Sequence, residues 1–177
     1  MKANNYINWN FVLHNVGYET ATIAGGAVRD YMCGKPVRDI DIFIQAQEYQ
    51  ERQWRGSGPA LPTIPGYITP RNHMRADNQE YDPNFLVFEY FGIDPGEIPI
   101  QLIFVPGRVL DHIQGFDMDL CKMWYRNNQF HMDKDAIQAM RYKIAYTDKP
   151  ERAVRLHNER GYGDFHFYNS VTGGKII

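Results

Sequence analysis

Cysteine is scarce in this chain: two residues, Cys33 and Cys121, in 177. That excludes a disulfide scaffold and a cysteine-built zinc site, and leaves two buried thiols in a reducing compartment as the expectation. No apolar run approaches the 18 residues of a membrane span, and no signal peptide is visible. The expectation is a soluble, cytoplasmic protein with no membrane partner. Excess charge is lacking too. The formal net charge is −2, so composition carries no basic footprint for nucleic acid, although residues 108–160 lean slightly basic. Internal repeats and low-complexity segments are also missing. What is present is core-forming material, 44% hydrophobic and 14% aromatic, in a length that suits one domain with a small appendage.

The most informative stretch is residues 21–44, ATIAGGAVRDYMCGKPVRDIDIFI. Thr22, Ile23 and Ala24 form a short apolar run suited to a buried strand. Gly25 and Gly26 follow, where the backbone can turn sharply and a ligand can approach with no Cβ in the way. The pattern predicts a helix over Ala27 to Cys33, stopped at Gly34. Amides at the start of that helix favour an anion, above all a phosphate.

Beyond it, Val37 to Ile44 alternate. Val37, Asp39, Asp41 and Phe43 share one strand face, and Ile40, Ile42 and Ile44 share the other. Two carboxylates one step apart repel unless a cation sits between them or one is protonated. Such hard ligands suit Mg²⁺, which is usually held by one or two carboxylates plus substrate phosphates. A phosphate-binding turn followed by a divalent-metal strand outlines a nucleoside triphosphate site.

The segment GGAVRDYMCGKPVRDIDIF resembles the signature of the nucleotidyltransferase head domain of CCA-adding enzymes and bacterial poly(A) polymerases. That signature runs Gly-Gly-x-Val-Arg-Asp, a short gap, Gly-(Arg/Lys), then Asp-x-Asp. Gly25, Gly26, Val28, Arg29, Asp30, Gly34, Lys35, Asp39 and Asp41 match it. The resemblance implies an α+β, polymerase-β-like fold: a mixed sheet flanked by helices, with a small C-terminal helical extension. It implies a head domain over residues 1–130 and the extension over 131–177. It further implies nucleotidyl transfer with Mg²⁺ or Mn²⁺. Asp39 and Asp41 would hold metal, Gly25, Gly26, Arg29 and Lys35 would serve the nucleotide, and Asp30 would cap or pair within the motif.

Elsewhere the pattern is coarser. Residues 5–15 predict a packing helix ended by Asn15 and Gly17, and residues 45–55 a polar helix. Residues 56–84, rich in proline and glycine, read as a long loop carrying Arg71, His73 and Arg75. Phe85 to Phe91 and Ile98 to Val105 read as a hairpin across Asp94-Pro95-Gly96. The resembled family usually supplies a third carboxylate from this neighbouring strand, and Gln101 stands roughly where it is expected. Glu89, Asp117 or Asp119 are the candidates to replace it, with Asp117 taken as a catalytic residue.

Residues 115–126 admit two readings. In one, Asp117 and Asp119 share a strand face; in the other, Asp117 caps a helix, and Lys122 serves the triphosphate. Residues 133–145 predict a helix capped by Asp133. After it, DKPERAVR loosely resembles the Asp-Pro-x-Arg-x-x-Arg segment that follows the head in CCA-adding enzymes, interrupted by Lys149. Arg152 and Arg155, three apart on one helix face, are candidates for phosphate oxygens. Residues 161–177 suggest no chemistry.

Little chain remains for the neck, body and tail of a CCA-adding enzyme. The expectation is a compact nucleotidyltransferase that moves an NMP from an NTP to an acceptor hydroxyl on an RNA 3′ end, a protein or a small molecule. The competing expectation is a catalytically degenerate nucleotide- or RNA-binding regulatory module.

Overall fold

The computed structural model describes residues 7–56, 61–70, 82 and 84–177. Arg71, His73 and Arg75 lie outside them. No helix among the described residues is long and apolar enough to cross a membrane.

Helix α1 (Trp9–Val16) begins where the Asn8 side chain accepts the Phe11 N–H at 3.0 Å, and ends at Gly17, φ 69°. Capping at both ends satisfies groups that a short helix otherwise leaves bare. Strand β1 (Thr22–Ala24), helix α2 (Gly26–Met32), strand β2 (Ile40–Gln45) and helix α3 (Ala46–Trp54) follow. The second strand starts at Ile40, later than its alternation suggested, so Asp39 precedes the ladder. The segment read as one long loop contains strand β3 (Tyr67–Ile68). Its residues 61–70 are tied down because Ile64 is buried and the fully buried Tyr90 hydroxyl donates to the Pro62 carbonyl at 2.8 Å. Strands β4 (Leu86–Gly92) and β5 (Ile100–Val105) form the expected hairpin.

Helix α4 (Val109–Gln114) and a 3₁₀ turn (Asp119–Cys121) lead to a hairpin of β6 (Met123–Arg126) and β7 (Gln129–Met132). Asn127 and Asn128 link these strands with φ of 51° and 62°. Paired positive φ values match a two-residue type I′ turn, which asparagine tolerates. Neither reading of residues 115–126 survives: Asp117 and Asp119 share no strand, and no helix starts at Asp117. Met118, fully buried, bridges to Thr147 instead, a partner distant in sequence.

Seven strands form one mixed sheet in the order β3-β4-β5-β2-β1-β6-β7. Among the described residues, β2 and β5 are its only parallel neighbours. The C-terminal portion carries helix α5 (Lys134–Tyr142), strand β8 (Ile144–Thr147), helix α6 (Pro150–Glu159) and strand β9 (His166–Asn169). Its two strands pair in parallel as a separate sheet, so the extension is mixed rather than purely helical. Asp133 caps α5 as expected, accepting the Asp135 N–H at 3.0 Å.

The main core is continuous from Ile7 to Phe167 and takes in Tyr162, Phe165 and Phe167. Tyr162 also has a polar task. Its hydroxyl donates to Asp30 Oδ1 at 2.6 Å and accepts from Arg29 Nε at 3.2 Å. Replacing Tyr162 by phenylalanine keeps the ring but leaves buried charge with one partner fewer. Tyr162→Phe is expected to cost about 1–3 kcal/mol. A lower urea midpoint at unchanged slope is the expected readout; an unchanged midpoint would refute the role.

Candidate active site

The site begins at the centre of the sheet. Parallel pairing sets Asp41 beside Gln101, and the β4–β5 hairpin sets Glu89 beside Gln101 on its other side. Directly opposed residues share a face, so Asp41, Gln101 and Glu89 form a row across three strands. Glu89 is then roughly 10 Å from Asp41, two strand spacings away. The same face carries a small apolar cluster of Phe43, Val87, Ile103 and Val105, closed by Val109 and Ile113 of α4.

Asp41 is half-buried and lines a cavity of about 290 Å³. Gly25 and Gly26 form one wall. Phe116 and Asp117 lie on another, and Lys149 and Arg152 enter from the start of α6. Gly25 takes φ 77°, ψ −131°, a conformation that only glycine adopts without strain. Its N–H bonds the Met123 carbonyl at 3.1 Å, which ties the turn to β6. Gly26 has an ordinary φ. A Cβ there would meet Arg29 Nη2 at 3.5 Å, an ordinary contact, so its lack of a side chain serves the cavity more than the chain.

The nucleotide-binding candidates separate in space. Gly25, Gly26 and Arg152 line the cavity. Arg29 stands behind the turn, 3% exposed, with Nη2 2.8 Å from Asp30 Oδ1 and Nη1 3.3 Å from Cys121 Sγ. Burial opposes its charge, but Cys121, Asp30 and Tyr162 outweigh that and hold it more firmly protonated than a free arginine. It supports the glycine turn from below. Lys35 is drawn away to Tyr162, its Nζ 5.8 Å from that ring's centre. Arg155 is exposed, one turn beyond Arg152, and does not line the cavity.

The acid candidates separate as well. Asp39 is exposed just ahead of β2. Asp117 lines the cavity, but its carboxylate is 2.9 Å from Lys149 Nζ and 2.8 Å from Arg152 Nη1. Asp119 faces a neighbouring cavity of about 660 Å³ and accepts the Tyr146 N–H at 3.0 Å. Among the described residues no three His, Cys, Asp or Glu side chains gather as a metal-holding group. Sequence reasoning missed Lys149 and Tyr162 as participants. Lys149 was visible only as the residue that interrupts the resembled Asp-Pro pair, and Tyr162 gave no local signal.

No family model and no curated protein matches the sequence. Solved structures do match in architecture. A tRNA-processing enzyme in an apo form superposes with a TM-score of 0.52 at 14% identity, over 89% of this chain and 44% of that one. A complex of a CCA-adding enzyme with ATP gives 0.51 at 16%, over 85% and 35%. The Thermotoga maritima CCA-adding enzyme complexed with tRNA gives 0.50 at 16%, also over 85% and 35%. The fold is that of a nucleotidyltransferase head domain. Identity this low speaks for the fold alone, and the chain spans less than half the length of those enzymes. Within this head-domain fold, the strand carrying Gln101 is the parallel neighbour of the strand carrying Asp41.

Asp119 offers a check on the local electrostatics. Burial pushes its carboxyl from the ordinary 3.8 up to about 6, against the lowering effect of the Tyr146 and Leu120 amides. The folded chain therefore binds this proton more tightly than the unfolded chain. Its stabilising effect is complete below about pH 4 and is lost as pH rises through 6. Asp119→Asn should remove that component, so the variant's melting temperature relative to wild type should rise between pH 4 and pH 6. A constant difference across that window would show that the carboxyl is not buried as described.

Proposed function

We propose that this chain transfers a nucleotidyl group from a nucleoside triphosphate to an acceptor hydroxyl. The observation that carries the reading is a convergence at one cavity: the half-buried carboxylate of Asp41, the Gly25–Gly26 turn, and the cations Lys149 and Arg152. The head-domain fold supports it, since its relatives include a CCA-adding enzyme with ATP and another complexed with tRNA. An NTP is the donor on this reading, and an RNA 3′ end, a protein side chain or a small molecule supplies the acceptor.

Asp39 and Asp41 fit a divalent cation, Mg²⁺ or Mn²⁺. They are hard carboxylates two residues apart, Asp41 facing the cavity and Asp39 exposed just ahead of β2, and substrate phosphates commonly complete such a set. When bound, that ion lowers the hydroxyl's pKa and offsets charge on the phosphates. The chain does the rest. Gly25 and Gly26 let phosphate oxygens approach the backbone. Lys149 provides a compact charge, and Arg152 a planar fork that matches phosphate geometry. Phe116 shields one side from water. Arg29, from behind, keeps the turn in place.

Gln101 favours a second reading, a nucleotide- or RNA-binding regulator without turnover. It sits in register beside Asp41, and a neutral amide neither accepts a proton nor balances a second cation well. Labelled NTPs with Mg²⁺ or Mn²⁺ and total cell RNA decide between the two. On the enzyme reading the wild-type chain transfers label, and Asp41→Ala and Asp39→Ala each lower the rate on the order of 10²-fold or more without lowering the melting temperature. Near-wild-type turnover in either variant would mean the site is elsewhere. A silent wild type that gains transfer through Gln101→Glu would establish the regulator.

A further inference from the structure

Asp117 holds two cations at once. Its Oδ2 is 2.9 Å from Lys149 Nζ and its Oδ1 is 2.8 Å from Arg152 Nη1, with the Asp117 side chain 17% exposed. The two partners occupy the start of α6, and all three line the same cavity as the glycine turn. One carboxylate bridging two cations reproduces what two oxygens of a single phosphate would do there. The Asp117 hydrogen bond and charge also hold the Lys149 ammonium more firmly protonated. Asp117 is the sheltered member, while the Lys149 and Arg152 side chains are 48% and 30% exposed, so solvent screens the bridge and leaves it within reach of a competing anion.

We propose that Asp117 sets the anion threshold of the cavity, its carboxylate occupying Lys149 and Arg152 until a polyphosphate displaces it. The proposal rests on the reading of this cavity as a triphosphate site. An incoming anion must break both contacts and leave a carboxylate beside its own negative charge. That cost is common to all anions. A lone phosphate offers only a replacement for what it displaces. A triphosphate adds contacts along the Gly25–Gly26 turn, which offset the exchange. Asp117 thereby excludes single phosphates while admitting a nucleotide's chain of three.

Calorimetric titration of the metal-free full chain with inorganic phosphate and with inorganic triphosphate tests this. The wild type should bind triphosphate and show no measurable heat with phosphate. Asp117→Asn, close in shape but neutral, should bind triphosphate about tenfold or more tightly than the wild type and give measurable heat with phosphate. Lys149→Gln and Arg152→Gln should each weaken triphosphate binding. A gain of affinity is the decisive sign, since a purely structural role for Asp117 predicts a loss. If Asp117→Asn unfolds, Asp117→Ser carries the same comparison. Unchanged or weaker binding in the neutral variant, with wild-type triphosphate binding intact, overturns the threshold and leaves the nucleotide reading standing. Failure of triphosphate to bind either metal-free chain overturns the threshold, and failure with Mg²⁺ present as well overturns the nucleotide reading too.

Discussion

A buried ion pair organises this molecule. Arg29 and Asp30 are adjacent in α2, and each side chain is 4% exposed. Charges removed this far from water persist only when their remaining hydrogen-bonding capacity is met. Tyr162 meets part of it, Arg160 approaches Asp30 Oδ2 at 3.5 Å, and Cys121 accepts from Arg29. These partners come from the 3₁₀ turn and from the chain's last third. The glycine turn is therefore held in place by residues far along the chain, and the C-terminal portion is part of the site's foundation. Removing Arg29 or Asp30 leaves the other a buried charge without its nearest partner.

A second constraint follows from strand direction. Because β2 and β5 run parallel, their residues keep one register along the whole ladder, from Ile40 beside Ile100 to Gln45 beside Val105. That register places Gln101, and no other residue of β5, next to Asp41. Glu89 gains its place only through the antiparallel hairpin on the far side. The row Asp41, Gln101, Glu89 is therefore acid, amide, acid. Its chemistry depends on the middle member, because a carboxylate one strand further away interacts with a cation through roughly twice the distance.

The cavity's charge is also an outcome of packing. Lys149 and Arg152 are brought in by α6, whose Pro150 starts the helix and whose Ala153 and Leu156 bury its inner face. Asp117 reaches them from the link between α4 and the 3₁₀ turn. Net charge over the chain is only −2, yet Lys149, Arg152, Asp41 and Asp117 all line one small cleft. Function in such a protein resides in local arrangement, where low dielectric strengthens each interaction, and hardly at all in overall composition.

Much of this was legible in the chain itself. The run from Thr22 to Gln45 determined a strand, a glycine turn, a short helix and a second strand, because local periodicity and the conformational freedom of Gly25 act over a few residues. The hairpin that pairs Glu89 with Gln101 was readable for the same reason, and so was Asp133 as a cap. What only the tertiary structure decided concerns distant partners. Nothing near Asp117 in sequence indicates that Lys149 and Arg152 neutralise it, and nothing near Asp119 indicates that the Tyr146 amide will bond it while Met118 bridges to Thr147. Arg29 reads as a phosphate ligand until Tyr162 and Cys121 close around it. Burial and pairing of charge depend on which segments meet in space, and that information is spread over the whole fold.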